Sequence, residues 1–566
     1  MKRHNLMHVM GVLVIASLAL AACAPAAAEP TQAPPEPTSA PEPTEPAMPP
    51  FEAVAPLVVP ECLPNSIIKE VVAEDAYTVR FTMCKSDAAF LSKIAFNVFG
   101  IYPSEWLTET GATGEALNAP VGTGPYMVSD WTHGESITFT AFPDFWGEPP
   151  EAETLVFRWS GESAARLLEV QAGTVDGIDN VGPSDFAAVE ADSNLALQIR
   201  PALNVFYIGF QRNVAPFDDV LVRRAVAMGI DRQRIVDTFY PVGSEPASHF
   251  TPCAIPNACE GDAWYEFDPE GARALLAEAG FPDGFSTTIT YRDVVRGYLP
   301  NVNQVAADIQ AQLAENLNID AELVVMESGA FIDATATGAV EGLHLLGWGA
   351  DYPHVTNFLD YHFGSAQLQF GDAYPEIYEH LEEGATIADF AEAAPVYAEA
   401  NNAIRELVPM IPVAHGASAT AYRADVTEQQ ASPLTSEYFA VSDPGGRDTF
   451  VWMQNAEPPN LFCADETDGE ALRACEQVVE ALYAYEINGT EVHPALAESC
   501  EPNADATEFI CTLRQGVKFH DGTDFDANDV VTTFTMGVDA ASPLHVGNTG
   551  AFEYYCTLWG CANVPE

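Results

Sequence analysis

From Thr287 to Asp351 the chain switches between two hydrophobic periods, and that switch limits the possible folds more than any other feature. Apolar and polar residues alternate through a strand near Thr287–Tyr291. Val302, Val305, Ile309, Leu313 and Leu317 then mark one face of a helix, and a second strand follows at Ala321–Met326. A third, buried-type strand covers His344–Leu346 and ends at Gly347. Strand, helix and strand in this order predict an α/β fold, a mixed or parallel sheet with helices over it. In open sheets of that kind ligands sit beyond the carboxyl ends of the strands. The run Gly347-Trp348-Gly349-Ala350-Asp351-Tyr352 lies at such a place. Small residues there let the backbone approach a ligand, Trp348 offers contact area, and Asp351 offers a charge-assisted hydrogen bond to a cationic or amide-bearing group. A strand-end turn with a packed indole and a capping Asp is the structural alternative. The position after the strand favours binding.

The first residues argue for export. Lys2, Arg3 and His4 precede an apolar run from Leu6 to Leu20, too short to span a membrane and suited to a secretory signal over residues 1–22. Leu20-Ala21-Ala22-Cys23 resembles a bacterial lipobox, which implies cleavage before Cys23 and a thioether-linked lipid on it. Residues 24–50 alternate Pro, Ala, Thr and Glu, so residues 23–53 read as a lipidated Cys followed by an extended, partly polyproline spacer. The resulting location is extracytoplasmic, with the body held off the cell membrane by its anchor. At 566 residues the whole chain is too long for one core, and two or three domains are expected.

Charge and cysteines narrow the partners. Against 82 acidic residues stand 23 Lys and Arg, a formal net charge of −59 that loss of Lys2 and Arg3 deepens. Such a surface repels nucleic acid and anionic lipid and favours cationic partners. Besides Cys23 there are ten cysteines, an even number that in an exported chain points to disulfides. Sequence leaves the connectivity open. The neighbouring pairs Cys253–Cys259, Cys463–Cys475, Cys500–Cys511, Cys556–Cys561 and Cys62–Cys84 are the simplest arrangement. No pair has the two-residue spacing of a metal knuckle, so no metal is expected.

Other signals place elements along the chain. Ile67–Met83 reads as a hairpin about Ala73–Ala76. Gly122-Thr123-Gly124-Pro125 superficially matches a phosphate loop, yet no lysine or helix start follows. Asp218 and Asp219 can cap a helix over Val220–Met228, and Asp268-Pro269-Glu270 opens another that Gly280 ends. The last hundred residues begin afresh: a strand at Thr449–Met453, a helix over Ala471–Tyr485, a turn at Asn488-Gly489, a strand at Glu508–Leu513, and a helix capped by Asp526.

Together these pieces resemble the family 5 extracellular solute-binding proteins, the peptide and nickel receptors of ABC importers. The motifs are Leu496-Ala497-Glu498-Ser499 with Val517-Lys518-Phe519-His520-Asp521-Gly522; Gly122-Thr123-Gly124-Pro125-Tyr126; Val222-Arg223-Arg224-Ala225 through Ile230-Asp231-Arg232; Ala272–Gly280; and Gly347–Tyr352. They cover nearly the whole chain from about residue 54 to 555, but in altered order. The stretch from Asp448 to Tyr555 is similar to the family's amino-terminal part and here comes last, and each motif occurs once, which implies a circular permutation.

The resemblance implies a two-lobed, class II periplasmic-binding fold with an extra subdomain, closing by a hinge on its ligand. The expected partition is 54–118 plus 486–566 for the smaller subdomain, 119–213 plus 418–485 for lobe I, and 214–417 for lobe II. It also implies a monomer that takes dipeptides or oligopeptides, hands them to an ABC permease, carries no cofactor and catalyses nothing. Asp351 would pair with the peptide's α-ammonium and Trp348 would wall a side-chain pocket. Gly349, Ala350 and Tyr352 would complete that loop, and Thr467, Asp468 and Gly469 would contact peptide backbone. Many relatives carry an acid where this chain has His354, and a Cys463–Cys475 bridge would stiffen the second loop. A nickel chelate, haem or oligosaccharide is the alternative ligand within the family, with His344, His354, His362 and His415 as the histidines nearest the key loop. An exported hydrolase is the rival class. It lacks a Gly-x-Ser-x-Gly elbow and a His-Glu-x-x-His helix, and Ser66-Ile67-Ile68-Lys69 stands without the partner motifs of penicillin-recognising enzymes.

Overall fold

The computed structural model describes residues 51–564 apart from 64, 65, 295, 366 and 388. The expected signal segment, Cys23 and residues 24–50 of the spacer lie outside the described residues. Three sheets organise the rest. A seven-stranded sheet runs in the order Tyr126–Thr132, Ser136–Ala141, Thr154–Trp159, Thr449–Gln454, Gly177–Ile178, Ser418–Arg423, Leu195–Arg200. A six-stranded sheet runs Glu245–Pro246, Met410–His415, Asn204–Phe210, Leu343–Gly349, Ser286–Arg292, Asp320–Met326. A five-stranded antiparallel sheet joins Leu57–Val58, Ile68–Asp75, Thr78–Met83, Glu508–Leu513 and Ala497–Pro502.

The six-stranded sheet is mixed, as the alternating periods predict. Ser286–Arg292 pairs in parallel with Asp320–Met326 and with Leu343–Gly349, and the crossover helix Val302–Leu317 buries the predicted face. Its central strands are apolar on both sides: Val205, Phe206, Tyr207, Ile208 and Phe210 are all buried, as are Met410–Ala414. A continuous run of this kind belongs to a sheet covered on both faces. Helix starts follow local chemistry. Asp219, Asp268 and Asp526 each accept a backbone N–H in the first turn, and Asp526 forms a capping box with Asp529.

The tail is built into the body. Glu508–Leu513 lies between Thr78–Met83 and Ala497–Pro502, while Thr449–Gln454 pairs in parallel with Thr154–Trp159 and Gly177–Ile178. The amides of Ile67 and Ile68 donate to the carbonyl of Trp559 at 2.8 and 3.2 Å. All five neighbouring cysteine pairs are bonded: Cys62–Cys84, Cys253–Cys259, Cys463–Cys475, Cys500–Cys511 and Cys556–Cys561.

Two connections pass between the seven- and six-stranded sheets, residues 201–203 and 416–417. They are tied to one another. Asn204 Nδ2 donates to the Gly416 carbonyl at 2.7 Å, the Gly416 amide donates to Asn204 Oδ1 at 2.9 Å, and His415 Nδ1 donates to the Asn204 carbonyl at 2.6 Å. On the seven-stranded side a buried ion network stands next to the first crossing. Arg200 bonds Asp179 at 2.8 Å and Glu437 at 2.6 Å, and Arg473 bonds the same acids at 2.8 and 2.7 Å. Burial pushes the Asp179 carboxyl up, but Arg473 and Arg200 outweigh it and hold it at about 2.

Several elements differ from their sequence-based expectation. The strand expected to end at Gly347 continues to Gly349, because Gly347, Trp348 and Gly349 keep pairing with Phe206, Val205 and Asn204. The helix expected over Ala471–Tyr485 spans only Gly469–Cys475. Beyond it the carbonyls of Gln477 and Val478 accept from Tyr126 and Gly124, and Tyr483–Tyr485 pairs with Val492–Pro494, so tertiary pairing overrides the helical pattern. The hairpin turns at Ala76-Tyr77 rather than Ala73–Ala76, with Asp75 Oδ1 accepting from the Tyr77 amide at 2.9 Å. The glycines of Gly122-Thr123-Gly124 serve close packing: a Cβ on Gly122 would lie 2.1 Å from the Val478 carbonyl oxygen.

Two stability tests follow from this packing. Asp179→Asn leaves two buried guanidiniums short of one counter-charge and is expected to cost about 3–5 kcal/mol, read as a lower thermal midpoint. Gly122→Val forces the 477–480 segment to shift and is expected to lower the midpoint by the equivalent of about 1–3 kcal/mol. An unchanged melting curve for either variant contradicts the corresponding packing argument.

Candidate functional site

The loop after Leu343–Gly349 forms one wall of a cavity of about 170 Å³, through Ala350 and Asp351. The opposite walls come from five stretches remote in sequence: Phe96 and Asn97, Gln430 to Tyr438, Thr467 to Glu476, Tyr485 to Asn488, and Tyr554. That space exceeds by about tenfold what a single water requires and admits a small solute. The loop is anchored to the crossing, since the Ala350 amide donates to the Leu203 carbonyl at 2.8 Å. A shift at residues 201–203 therefore moves the Asp351 wall directly.

Asp351 is the chemical centre of this cavity. Its Oδ2 accepts from Asn357 Nδ2 at 2.9 Å and its Oδ1 from the Tyr554 hydroxyl at 3.1 Å, while its own amide donates to Asn357 Oδ1 at 3.0 Å. Among the described residues its hydrogen-bond partners are all neutral. Burial pushes its carboxyl above the usual carboxylate value, and Asn357 and Tyr554 offset this in part. A partly desolvated carboxylate served by neutral donors has capacity for a cation.

The other predicted residues fall into two groups. Ala350, Thr467 and Gly469 line the cavity with Asp351. Trp348, Gly349, Tyr352 and Asp468 do not lie on its wall. Trp348 stacks on Tyr361 at 4.1 Å between centroids and donates from Nε1 to Asn357 Oδ1 at 3.2 Å, so it orients the amide that in turn orients Asp351. Gly349 closes the strand. Tyr352 is buried, its hydroxyl bonded to Thr356, and faces a separate cavity shared with Lys93 and Asp360. Asp468 caps the helix Gly469–Cys475 by accepting from the Ala471 amide at 2.9 Å. The Cys463–Cys475 bridge brackets this cavity-lining stretch.

The four histidines near the key loop do not gather around a common point in this cavity. His354 caps the helix Val355–Phe363, and burial lowers it to about 3. His344 and His362 lie in the aromatic cluster of Tyr207 and Phe370, lowered by burial to about 4 and 3. His415 belongs to the strand crossing. Among the described residues one cluster has metal-ligand spacing, His249 with Cys253 and Cys259, and its two sulfurs are already joined in a disulfide.

Sequence reading missed Phe96, Asn97, Tyr438, Glu476, Tyr485 and Tyr554 on the cavity wall. Each comes from an element with an ordinary local pattern, and only their convergence marks them. Among the described residues no helix is long and apolar enough to cross a membrane.

Comparison with known proteins fits this geometry. The model of the Bacterial extracellular solute-binding proteins, family 5 Middle, matches residues 27–370 and 491–550, more than half of the chain. The chain is 30% identical over 358 residues to Heme-binding protein A of Haemophilus influenzae, covering 62% of this chain and 65% of that protein. It is 28% identical over 381 residues to the dipeptide-binding protein of Escherichia coli K12, covering 66% of this chain and 71% of that one. The solved structure of HbpA2 from Haemophilus parasuis superposes with a TM-score of 0.61 at 31% identity, over 65% of this chain and 74% of that chain. The matched region thus spans about two thirds of the length of the curated relatives. Two sheets joined by two crossings, a solute-sized cavity beside them and a matching family model lead to one conclusion: this chain belongs to the family 5 bacterial extracellular solute-binding proteins.

Proposed function

We propose that the chain captures a dipeptide or short oligopeptide in the Asp351 cavity and delivers it to an ABC permease, without catalysing a reaction. The observation that carries this reading is the half-buried Asp351 carboxylate on the cavity wall, whose hydrogen-bond partners among the described residues, Asn357 and Tyr554, are neutral. A peptide's α-ammonium supplies the missing charge, and Thr467 and Gly469 on the opposite wall are the residues proposed to meet the backbone of an extended ligand. The dipeptide-binding protein of Escherichia coli supports the peptide class. The likeness to Heme-binding protein A favours a second ligand, haem. For that ligand the cavity offers Tyr438, Tyr485 and Tyr554 but no His, Cys or Met.

The same reading includes a lipid anchor on Cys23, a monomeric body and the three-part partition given above, with the boundary at 213 moved back to 201–203 because Asn204–Phe210 pairs inside the six-stranded sheet, and with the two crossings at 201–203 and 416–417 as the hinge. It also includes the permuted order. In support, the tail strands complete sheets begun by earlier residues, and the Trp559 carbonyl returns to the amides of Ile67 and Ile68.

Asp351→Asn is expected to weaken binding of a free-amine dipeptide by about 2–5 kcal/mol and to leave its N-acetylated form nearly unaffected, as read by calorimetry. In the unaltered protein, affinity for the free-amine peptide falls on acidification as the carboxylate takes up its proton. Because burial raises the carboxyl, that loss begins at a higher pH than for an ordinary Asp. Equal affinities for the mutant and the unaltered protein remove Asp351 from the role.

A further inference from the structure

A second cavity, of about 540 Å³, adjoins the first, and Asn97, Tyr438, Glu476, Tyr485 and Ile487 lie on the walls of both. Its acidic lining is one-sided: Glu148, Glu151, Glu428, Glu476 and Glu480 face it, and no Lys or Arg lines either cavity. The two central carboxylates have neutral partners. Glu480 Oε2 accepts from Trp146 Nε1 and from Thr123 Oγ1, both at 2.8 Å, and Glu476 Oε2 accepts from Asn97 Nδ2 at 2.9 Å. Arg514 stands behind this wall, its guanidinium packed on Trp146 at 4.2 Å and its Nε donating to the Ala495 carbonyl, and its charge offsets only a minor part of the burial of Glu480. Burial raises both carboxyls to about 7.

A second, independent feature points to an N–H-bearing group. Asn97, only 6% exposed, lines both cavities, and its Oδ1 is a buried acceptor with no hydrogen-bond partner among the described residues. Trp146, Tyr438 and Tyr485 add aromatic surface to the same walls. Acids with aromatic rings and an apolar Ile487 suit an organic cation on an alkyl stem, whose stem packs on the rings while its head meets the carboxylates.

We propose that this second cavity receives the Lys ammonium or Arg guanidinium of a bound peptide whose α-ammonium rests on Asp351, and so makes the protein selective for basic peptides. The proposal rests on the peptide reading of the first cavity. Glu480 acts as the specificity-determining group, with Glu476 on the shared wall between the two charges.

Calorimetry on the full mature chain tests it with Ala–Lys and Lys–Ala against the corresponding norleucine dipeptides, which carry the four-carbon stem without the ammonium. At least one Lys peptide is expected to bind about tenfold or more tightly than its norleucine counterpart, a difference of about 1.4 kcal/mol. Glu480→Gln is expected to bring that ratio close to one while norleucine dipeptides bind as before. Equal binding of Lys and norleucine peptides to the unaltered protein overturns the selectivity and leaves the peptide reading standing. A Lys preference that survives in Glu480→Gln overturns the assignment to this cavity. Failure of every dipeptide to bind overturns the peptide reading and this inference with it. The comparison within the unaltered protein decides the matter even where the variant folds poorly.

Discussion

A carboxylate kept out of water without a cation beside it is costly, and the site is arranged around that cost. Removing an ionised group from water costs several kcal/mol unless charge or hydrogen bonds replace the lost hydration. Asp351 receives partial replacement from Asn357 and Tyr554, which are neutral. The buried Asp179 and Glu437 each meet two guanidiniums and form a closed structural network. The contrast separates acids whose charge is balanced within the fold from one served by neutral donors alone, the group proposed above to meet the ligand.

The surrounding structure keeps that open group aimed. Trp348 fixes Asn357, Asn357 fixes Asp351, and the Ala350 amide ties the loop to Leu203 on the first strand crossing. The two crossings are bonded to one another through Asn204 and Gly416. Tyr554 reaches Asp351 from the carboxy-terminal segment, which makes the late part of the chain a structural component of the cavity. Only residues 201–203 and 416–417 connect the two sheets, and the closure proposed above would need backbone rotation at those few positions.

Much of this was legible in the sequence, for definable reasons. The 3.6-residue period of Val302, Val305, Ile309, Leu313 and Leu317 and the strands around it were unambiguous, because that face is wholly buried and the flanking strands are parallel. Caps at Asp219, Asp268 and Asp526 are local chemistry and therefore visible locally. Asp351 stood out as an acid just past a buried strand. What escaped depended on distant partners. The segment after Cys475 reads as helix but is captured by backbone bonds to Gly124 and Tyr126, and Trp348 reads as a ligand wall but is drawn onto Tyr361. The Asn97, Glu476 and Tyr554 contributions come from three separate elements that no spacing rule connects.

The most direct measurement follows the Asp351 carboxyl itself, by carbon-13 NMR of labelled Asp side chains, with an Asp351→Asn sample to assign the resonance. The account predicts that it titrates above the ordinary Asp value in the free protein and that saturating dialanine drives its titration well below that position, because an ammonium then sits against it. A titration midpoint that dialanine leaves unmoved, with the dipeptide shown to be bound, contradicts the account.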